Sequence, residues 1–472
     1  MYGIHITRIV YRSLVVNRDE EGLAMLFLSL LAAPALALDL PFESFSLENG
    51  LDVMLLVDHA RPQVVVDVWY DVGSFDDPDG ASGFAHLFEH LMFMGTRGVP
   101  QGQFDAQMEA AGARNNASTA ADYTNYYSWG TANTLDLLLL LEADRMTGLD
   151  ITQEKLDLQR DVVRNERRQN YEDPPYAEAW LALSEMLFPK THPYHLEGIG
   201  SHEDLLAATL DHVEGFYGDW YAPNNATLVV AGDIDPAEVR TRITEFFGPL
   251  QPAVAPAHRL APEVLTPVVG RRILRDQVPA PAVILAWHSP PFFKDGDATM
   301  DVLADVLSDG EGSRLPQRLV HEDGLAQEVW AMQASQSRGS VFLVWVVGRP
   351  GADPAAIEAA VLDELAGLMG ERPVTEKELQ RAVTGFEVGF YHQMESLLSR
   401  AEMLQRYQHF TGAADYLEQD LARYREVDSA AVKAAVEQWL APAKAASLVV
   451  LPKDGEPRDG EPKDSEPEEV SP

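Results

Sequence analysis

Apolar and polar positions fall into a regular order from about residue 41. "FESFSLENGLDVMLLVDHARPQVVVDVWYDVGS" predicts a strand, a turn at Asn49-Gly50, a second strand, a loop and a third strand ending at Gly73. Asn-Gly between apolar runs is a strong hairpin signal. "GFAHLFEHLMFM" has helical periodicity and is closed by Gly95. "QGQFDAQMEAAG" predicts a short helix or turn, and "ARNNASTAADYTNYYSWG" has strand character. "TLDLLLLLEADRMTGLD" and "TQEKLDLQRDVVRNERRQNYED" are helical, the second capped near Thr152 and stopped by Pro174-Pro175. A helix near Ala177–Leu187 precedes the helical "HEDLLAATLDHVEGFYGDWY". "NNATLVVAGDI" is a strand, and Asp235-Pro236 opens another helix.

Periodicity then lapses. Residues 251–270 hold several prolines and read as a linker. The pattern resumes with a strand at "PAVILAWHSP", a helix at "GDATMDVLADVLSD", a helix and turn at "GSRLPQRLVHEDGLA" and a strand at "VFLVWVVG". Later helices fall at residues 373–394 and "DSAAVKAAVEQWL", with a strand at "AASLVVLP". The two halves share an order of elements, which predicts a duplicated α+β architecture. The expected domains are 41–250 and 271–452, each a mostly antiparallel sheet with helices on one side. Residues 453–472 repeat Glu-Pro with alternating charge and are expected to be disordered.

Composition changes this picture little, but charge and the N-terminus add to it. A formal net charge of −38 argues against nucleic acid as the main partner. The last twenty residues hold only three basic and eight acidic side chains, so the acidity belongs to the body. The absence of cysteine removes disulfides, thiolate catalysis and Cys-ligated metal. "LAMLFLSLLAAPALAL", uncharged and ending in small residues, makes residues 1–38 a signal peptide or an N-terminal anchor. A long n-region and Asp19, Glu20 and Glu21 before the apolar core leave the anchor and a buried helix open. Export, to a bacterial periplasm, is the expectation.

The candidate chemistry lies in "AHLFEHL". Helical residues four apart share a face, so His86 and His90 point the same way with Glu89 beside them. Two imidazoles at this spacing suit zinc. Glu just before the second His is the inverted zinc-protease order. A carboxylate beside zinc can take a proton from the attacking water, which makes Glu89 the candidate base. A third protein ligand is required. Glu166, on "RDVVRNERRQN", follows Val162 and Val163 by a turn and can face inward, with Arg164, Arg167 and Arg168 facing out. Glu154, Glu172 and Glu178 remain open on composition alone.

The sequence resembles the pitrilysin/insulinase family of zinc metallopeptidases, in particular its shorter members related to mitochondrial processing peptidase. "AHLFEHLMFMGT", "NASTAADYTNYY", "VVRNERRQNYEDPPY", "HPYHLEGIGS" and "FYGDWYAPNNATLVVAGDI" carry the resemblance, which spans residues 41–450. It implies the metallopeptidase (LuxS/processing-peptidase-like) fold and one Zn2+ per chain. The implied ligands are His86, His90 and Glu166, with Glu89 as catalytic base. It also implies that a peptide adds as a strand along Asn116, Ala117, Ser118 and Thr119.

Two departures stand out against that family. Position 159, where members often carry a Glu, is Gln159. The Arg and Tyr that fully equipped members carry in the later domain are replaced by Val320 and Gln327, with Arg318 out of register. The resemblance therefore implies the zinc-bearing subunit of a heterodimer whose homologous partner supplies Arg and Tyr. A weak homodimeric enzyme and a non-catalytic scaffold or binding subunit are the alternatives. The expected activity is zinc-dependent endoproteolysis of extended or unfolded peptides.

Overall fold

The computed structural model describes residues 40–254, 257–259 and 270–453. The expected signal or anchor (1–38) lies outside the described residues. So do 255–256 and 260–269 of the expected linker and 454–472 of the expected tail. Two compact units divide the chain. The first comprises residues up to Asn170, Glu197–Leu260 and Gly385–Glu426; the second comprises Tyr171–Leu196, Ala261–Thr384 and the chain from Val427.

The first unit is built on β1 (Glu43–Ser46), β2 (Asp52–Val57), β3 (Gln63–Tyr70), β4 (Arg114–Thr119), β5 (Thr124–Thr131) and β6 (Ala226–Gly232). Their order is β1-β2-β6-β3-β5-β4, antiparallel except for β2 beside β6. The Asn49-Gly50 hairpin forms, with Gly50 at φ +90°, a region closed to most side chains. β3 is almost wholly buried, as a central strand that is apolar but for Gln63 and Asp67 would be. β4 is polar and sits at the edge, where a strand with one free side tolerates polar residues.

The helices of this unit bury apolar stripes against one sheet face. Tyr126 of β5 packs on Phe93, and the Phe88 and Tyr221 rings lie 4.3 Å apart. The opposite face, carrying Trp69, receives the helix Leu397–Thr411. Gln405 on that helix donates to the carbonyls of Asp67 and Thr227, both at 2.9 Å. The Trp69 indole stacks on Tyr123 and meets His409.

The second unit carries β7 (Gly270–Asp276), β8 (Ala282–Ser289), β9 (Ala326–Ala334), β10 (Ser340–Gly348) and β11 (Ala446–Pro452). The order is β7-β11-β8-β10-β9, with only β7 and β11 parallel. The apolar pattern does not reveal β7 and β9. Both are edge strands, and β7 is largely exposed with Arg271, Arg272 and Arg275 breaking its alternation. The early helix Glu178–Leu187 belongs here, its Trp180 ring 5.2 Å from Trp345 of β10. Each unit is thus the expected α+β module, a mixed, mostly antiparallel sheet with its main helical layer on one face, to which the first unit adds the helix Leu397–Thr411 on the other.

Candidate metal centre

The helix Phe84–Leu91 presents the motif, and its start is fixed by neighbours outside it. Asp77 accepts from the backbone N–H of Gly83 at 2.7 Å and of Ala85 at 2.8 Å, filling orphan donors of the first turn. Burial pushes the Asp77 carboxyl up to about 8, against the pull of those N–H groups. Gly83 stands at φ +82°, and a Cβ there would lie 2.7 Å from Gly200 Cα. Phe84, Leu87, Phe88 and Leu91 enter the core, each at most 1% exposed. That orientation turns His86, Glu89 and His90 toward the helix Gln153–Arg167.

Thr152 caps that second helix by accepting from Lys155 N. Its buried positions are Leu156, Gln159, Val163 and Glu166, one stripe at helical spacing. Val162 lies off the stripe and is exposed, so Val163 alone marks the inward face. Glu154, Glu172 and Glu178 are exposed, whereas Glu166 is buried. Arg168 faces out as expected. Arg164 and Arg167 instead turn to the loop before the helix His202–Ala207, bonding His202 Nδ1 and the Gly200 carbonyl.

His86, His90 and Glu166 converge, with one ligand atom of each within 4.8 Å of the others. Glu166 Oε2 lies 3.3 Å from His90 Nε2 and 3.7 Å from His86 Nε2. Tetrahedral zinc with bonds of 2.0–2.1 Å separates its ligand atoms by about 3.4 Å, so the donor set and its spacing fit zinc. Burial and the neighbouring His90 hold the His86 imidazole down at about 4, in the neutral form that ligates a metal. Its buried Nδ1 has no hydrogen-bond partner among the described residues. Burial opposes ionisation of Glu166, but its contacts with His90 and His86 outweigh it and lower its pKa. Gln159 Oε1 lies 3.3 Å from His90 Nδ1, and Gln159 Nε2 donates toward Met94 Sδ. Accepting from Nδ1–H fixes the tautomer whose Nε2 faces Glu166.

Glu89 is buried on the same helix face and accepts from Thr119 Oγ1 at 2.6 Å. Burial raises its pKa, opposed by the Thr119 bond, moving it toward the range of a general base near neutral pH. Thr119 ends β4, on which Asn116, Ala117 and Ser118 also lie. β4 is the outermost strand, paired with β5 on one side only. Neither Asp77 nor the Thr119 contact to Glu89 is visible in the sequence, because each depends on a loop or strand brought up by the fold.

In the second unit, Gln327 opens β9 and donates to the Gly348 carbonyl at 3.0 Å. Val320 is half-buried in the short helix Pro316–Glu322, where its carbonyl accepts from Arg349. Arg318 is paired with Asp363 at 2.6 Å and lies 3.4 Å from Glu364. Its charge is therefore engaged within its own unit.

Comparisons with known proteins bear on the family and the fold. Residues 52–192 match the family model described as insulinase (peptidase family M16), and residues 207–386 match the peptidase M16 inactive domain. The zinc protease PqqE of Helicobacter pylori is 30% identical over 391 residues, covering 80% of this chain and 86% of that protein. The mitochondrial-processing peptidase subunit beta of Lentinula edodes is 25% identical, covering 65% of this chain and 68% of that protein. Among solved structures, a protease from Helicobacter pylori superposes with a TM-score of 0.81 at 26% identity, over 88% of this chain and all of that one. The first half of the periplasmic protease PqqL of Escherichia coli has the same fold, with a TM-score of 0.72 at 20% identity. It covers 88% of this chain and 92% of that one.

Proposed function

The chain belongs to the insulinase family of metallopeptidases (M16), and from that premise we propose that it is a zinc-dependent endopeptidase acting on extended peptides. One observation carries the reading. Glu89, buried and held by Thr119, sits beside the His86–His90–Glu166 set without being part of it. Burying a carboxylate costs free energy that one hydrogen bond offsets only in part, and a base next to a hydrolytic metal is a role that accounts for it.

His86, His90 and Glu166 would hold the ion. When bound, zinc supplies Lewis acidity that makes water acidic near neutral pH. Glu89 Oε1 or Oε2 receives the proton of the attacking water and returns it to the leaving amine nitrogen. Thr119 Oγ1 orients that carboxylate. The free side of β4 pairs with the peptide backbone, so Asn116, Ala117, Ser118 and Thr119 hold the substrate extended. Backbone pairing gives affinity with little demand on sequence.

Val320 and Gln327 supply neither cation nor phenol, and Arg318 is engaged elsewhere. We therefore read the chain as the zinc-bearing subunit of a heterodimer, in the short subfamily related to processing peptidase. A homologous partner would contribute the Arg and Tyr that polarise the scissile carbonyl. Export to the periplasm accords with the apolar segment at 23–38. Among the described residues no helix is long and apolar enough to cross a membrane. The same Val320 and Gln327 favour a second reading, a binding subunit that does not cleave.

Metal analysis together with a quenched-fluorescent peptide assay on the wild type and Glu89→Gln separates these readings. The proposal expects one zinc in each and cleavage reduced about 10²–10⁴-fold in the variant. Equal turnover by the two proteins would remove Glu89 from the mechanism. No turnover by the wild type, alone or with its co-purifying partner, would favour the binding subunit.

A further inference from the structure

We propose that the face of the first sheet turned away from the metal centre holds a side-chain subsite, formed by Tyr127 and Trp129. It accepts large apolar or aromatic residues at alternate positions of the bound peptide. The proposal rests on the reading of β4 as the edge that a peptide extends.

Register fixes which side chains share that face. Arg114, Asn116 and Ser118 of β4 stand opposite Trp129, Tyr127 and Asn125 of β5. Two hydrogen bonds between opposed residues confirm the pairing, Asn116 Nδ2 to Tyr127 Oη at 3.0 Å and Ser118 Oγ to Asn125 Oδ1 at 2.6 Å. The intervening residues point the other way: Thr119 to Glu89, and Asn115 to Asp105.

The Tyr127 and Trp129 rings are nearly parallel, 20° apart with centres separated by 6.0 Å, and both are half-buried. The helix Leu397–Thr411 lies on this face at β3 and β6, where it packs on Trp69. Along β4, between those rings and the open edge, stand the short or extended side chains of Asn116, Ser118 and Arg114. The bond from Asn116 draws the Tyr127 hydroxyl toward the edge. An added strand lies about 4.8 Å beyond β4 and alternates its side chains between faces. A large side chain directed to this face rises above Asn116 and meets the aromatic pair, whereas an alanine stops short.

Spacing along the strand gives the substrate rule. Tyr127 and Trp129 stand opposite residues three and five positions from Thr119, the contact to Glu89. The preferred positions are therefore two apart and lie to one side of the cleaved bond, with an indifferent position between them.

The test walks a single Phe through an extended Ala/Thr/Ser peptide labelled for cleavage. KM is expected to fall about fivefold at two positions spaced by two, the size of one aromatic contact, with no change between them. In Trp129→Ala that ratio falls to about one. Asn116→Phe, on the exposed edge where folding is less at risk, also brings the ratio to about one by filling the approach. A flat walk in the wild type overturns the subsite, as does an alternation that survives both substitutions. The same walk is read by fluorescence anisotropy on Glu89→Gln, which needs binding but no cleavage. Alternation in binding with no cleavage by the wild type would keep the subsite and sink the peptidase reading. Cleavage with a flat walk would do the reverse.

Discussion

Glu89 and Gln159 show how single side chains set what the metal centre can do. Thr119 donates to Glu89, so Thr119→Val should lower kcat several-fold while leaving bound zinc unchanged. Stopped-time peptide assays paired with metal content check this. Gln159 accepts from His90 through a neutral amide, whereas a carboxylate in that place makes the imidazole a stronger donor to zinc. Second-layer partners of this kind change affinity about 10–100-fold. Gln159→Glu should therefore hold zinc more tightly in chelator competition, and Gln159→Leu more weakly. His258 gives a pH signature away from the metal. Its hydrogen bonds to Asp71 and Asp76, at 3.2 and 2.9 Å, raise its pKa to about 10. A raised pKa contributes stability fully below the unfolded value of about 6.5, and loses it as pH climbs through the folded value. The stability deficit of His258→Asn should be largest near pH 6 and fade toward pH 10, as read by urea melts across that range.

At the scale of elements, the motif helix depends on a cap it does not contain. Asp77→Ala would strip acceptors from Gly83 and Ala85. Each buried donor left unpaired costs about 1–3 kcal/mol, so unfolding free energy should drop by that order and zinc affinity should fall with it. Asp77→Asn, keeping one acceptor, should lose less. The strong elements were legible in the sequence for physical reasons. The hairpin at Asn49-Gly50 and the helices at 84–91 and 153–167 carry their signals locally, in turn chemistry and in single apolar stripes. The helix Leu397–Thr411 and strands β7 and β9 were not legible. That helix buries Ala401, Met403, Leu404, Gln405 and Tyr407, so it shows no single stripe, and the edge strands have only one paired side to pattern.

At the scale of the molecule, the chain returns late to finish what it began early. Residues 385–426 belong to the first unit, and Gln405 satisfies backbone carbonyls of β3 and β6. A fragment ending at residue 254 should therefore fail to reach a native fold, while the same fragment supplied with 385–426 should recover it. Near-ultraviolet circular dichroism distinguishes the two. The acidity of the whole chain, −38 in formal charge, should favour basic peptides over matched acidic ones, with the preference shrinking as salt rises.

The sequence alone determined the two-domain α+β architecture and the face shared by His86, Glu89 and His90. Those follow from periods of two and of 3.6 residues, which are written into every few positions. The tertiary structure decided which distant side chains complete the arrangement. Glu166 rather than Glu154 or Glu172 is buried beside the histidines, Thr119 reaches Glu89, and Gln159 reaches His90. Such meetings depend on how helices and strands pack across intervals of 30 to 76 residues, and no local pattern records that distance.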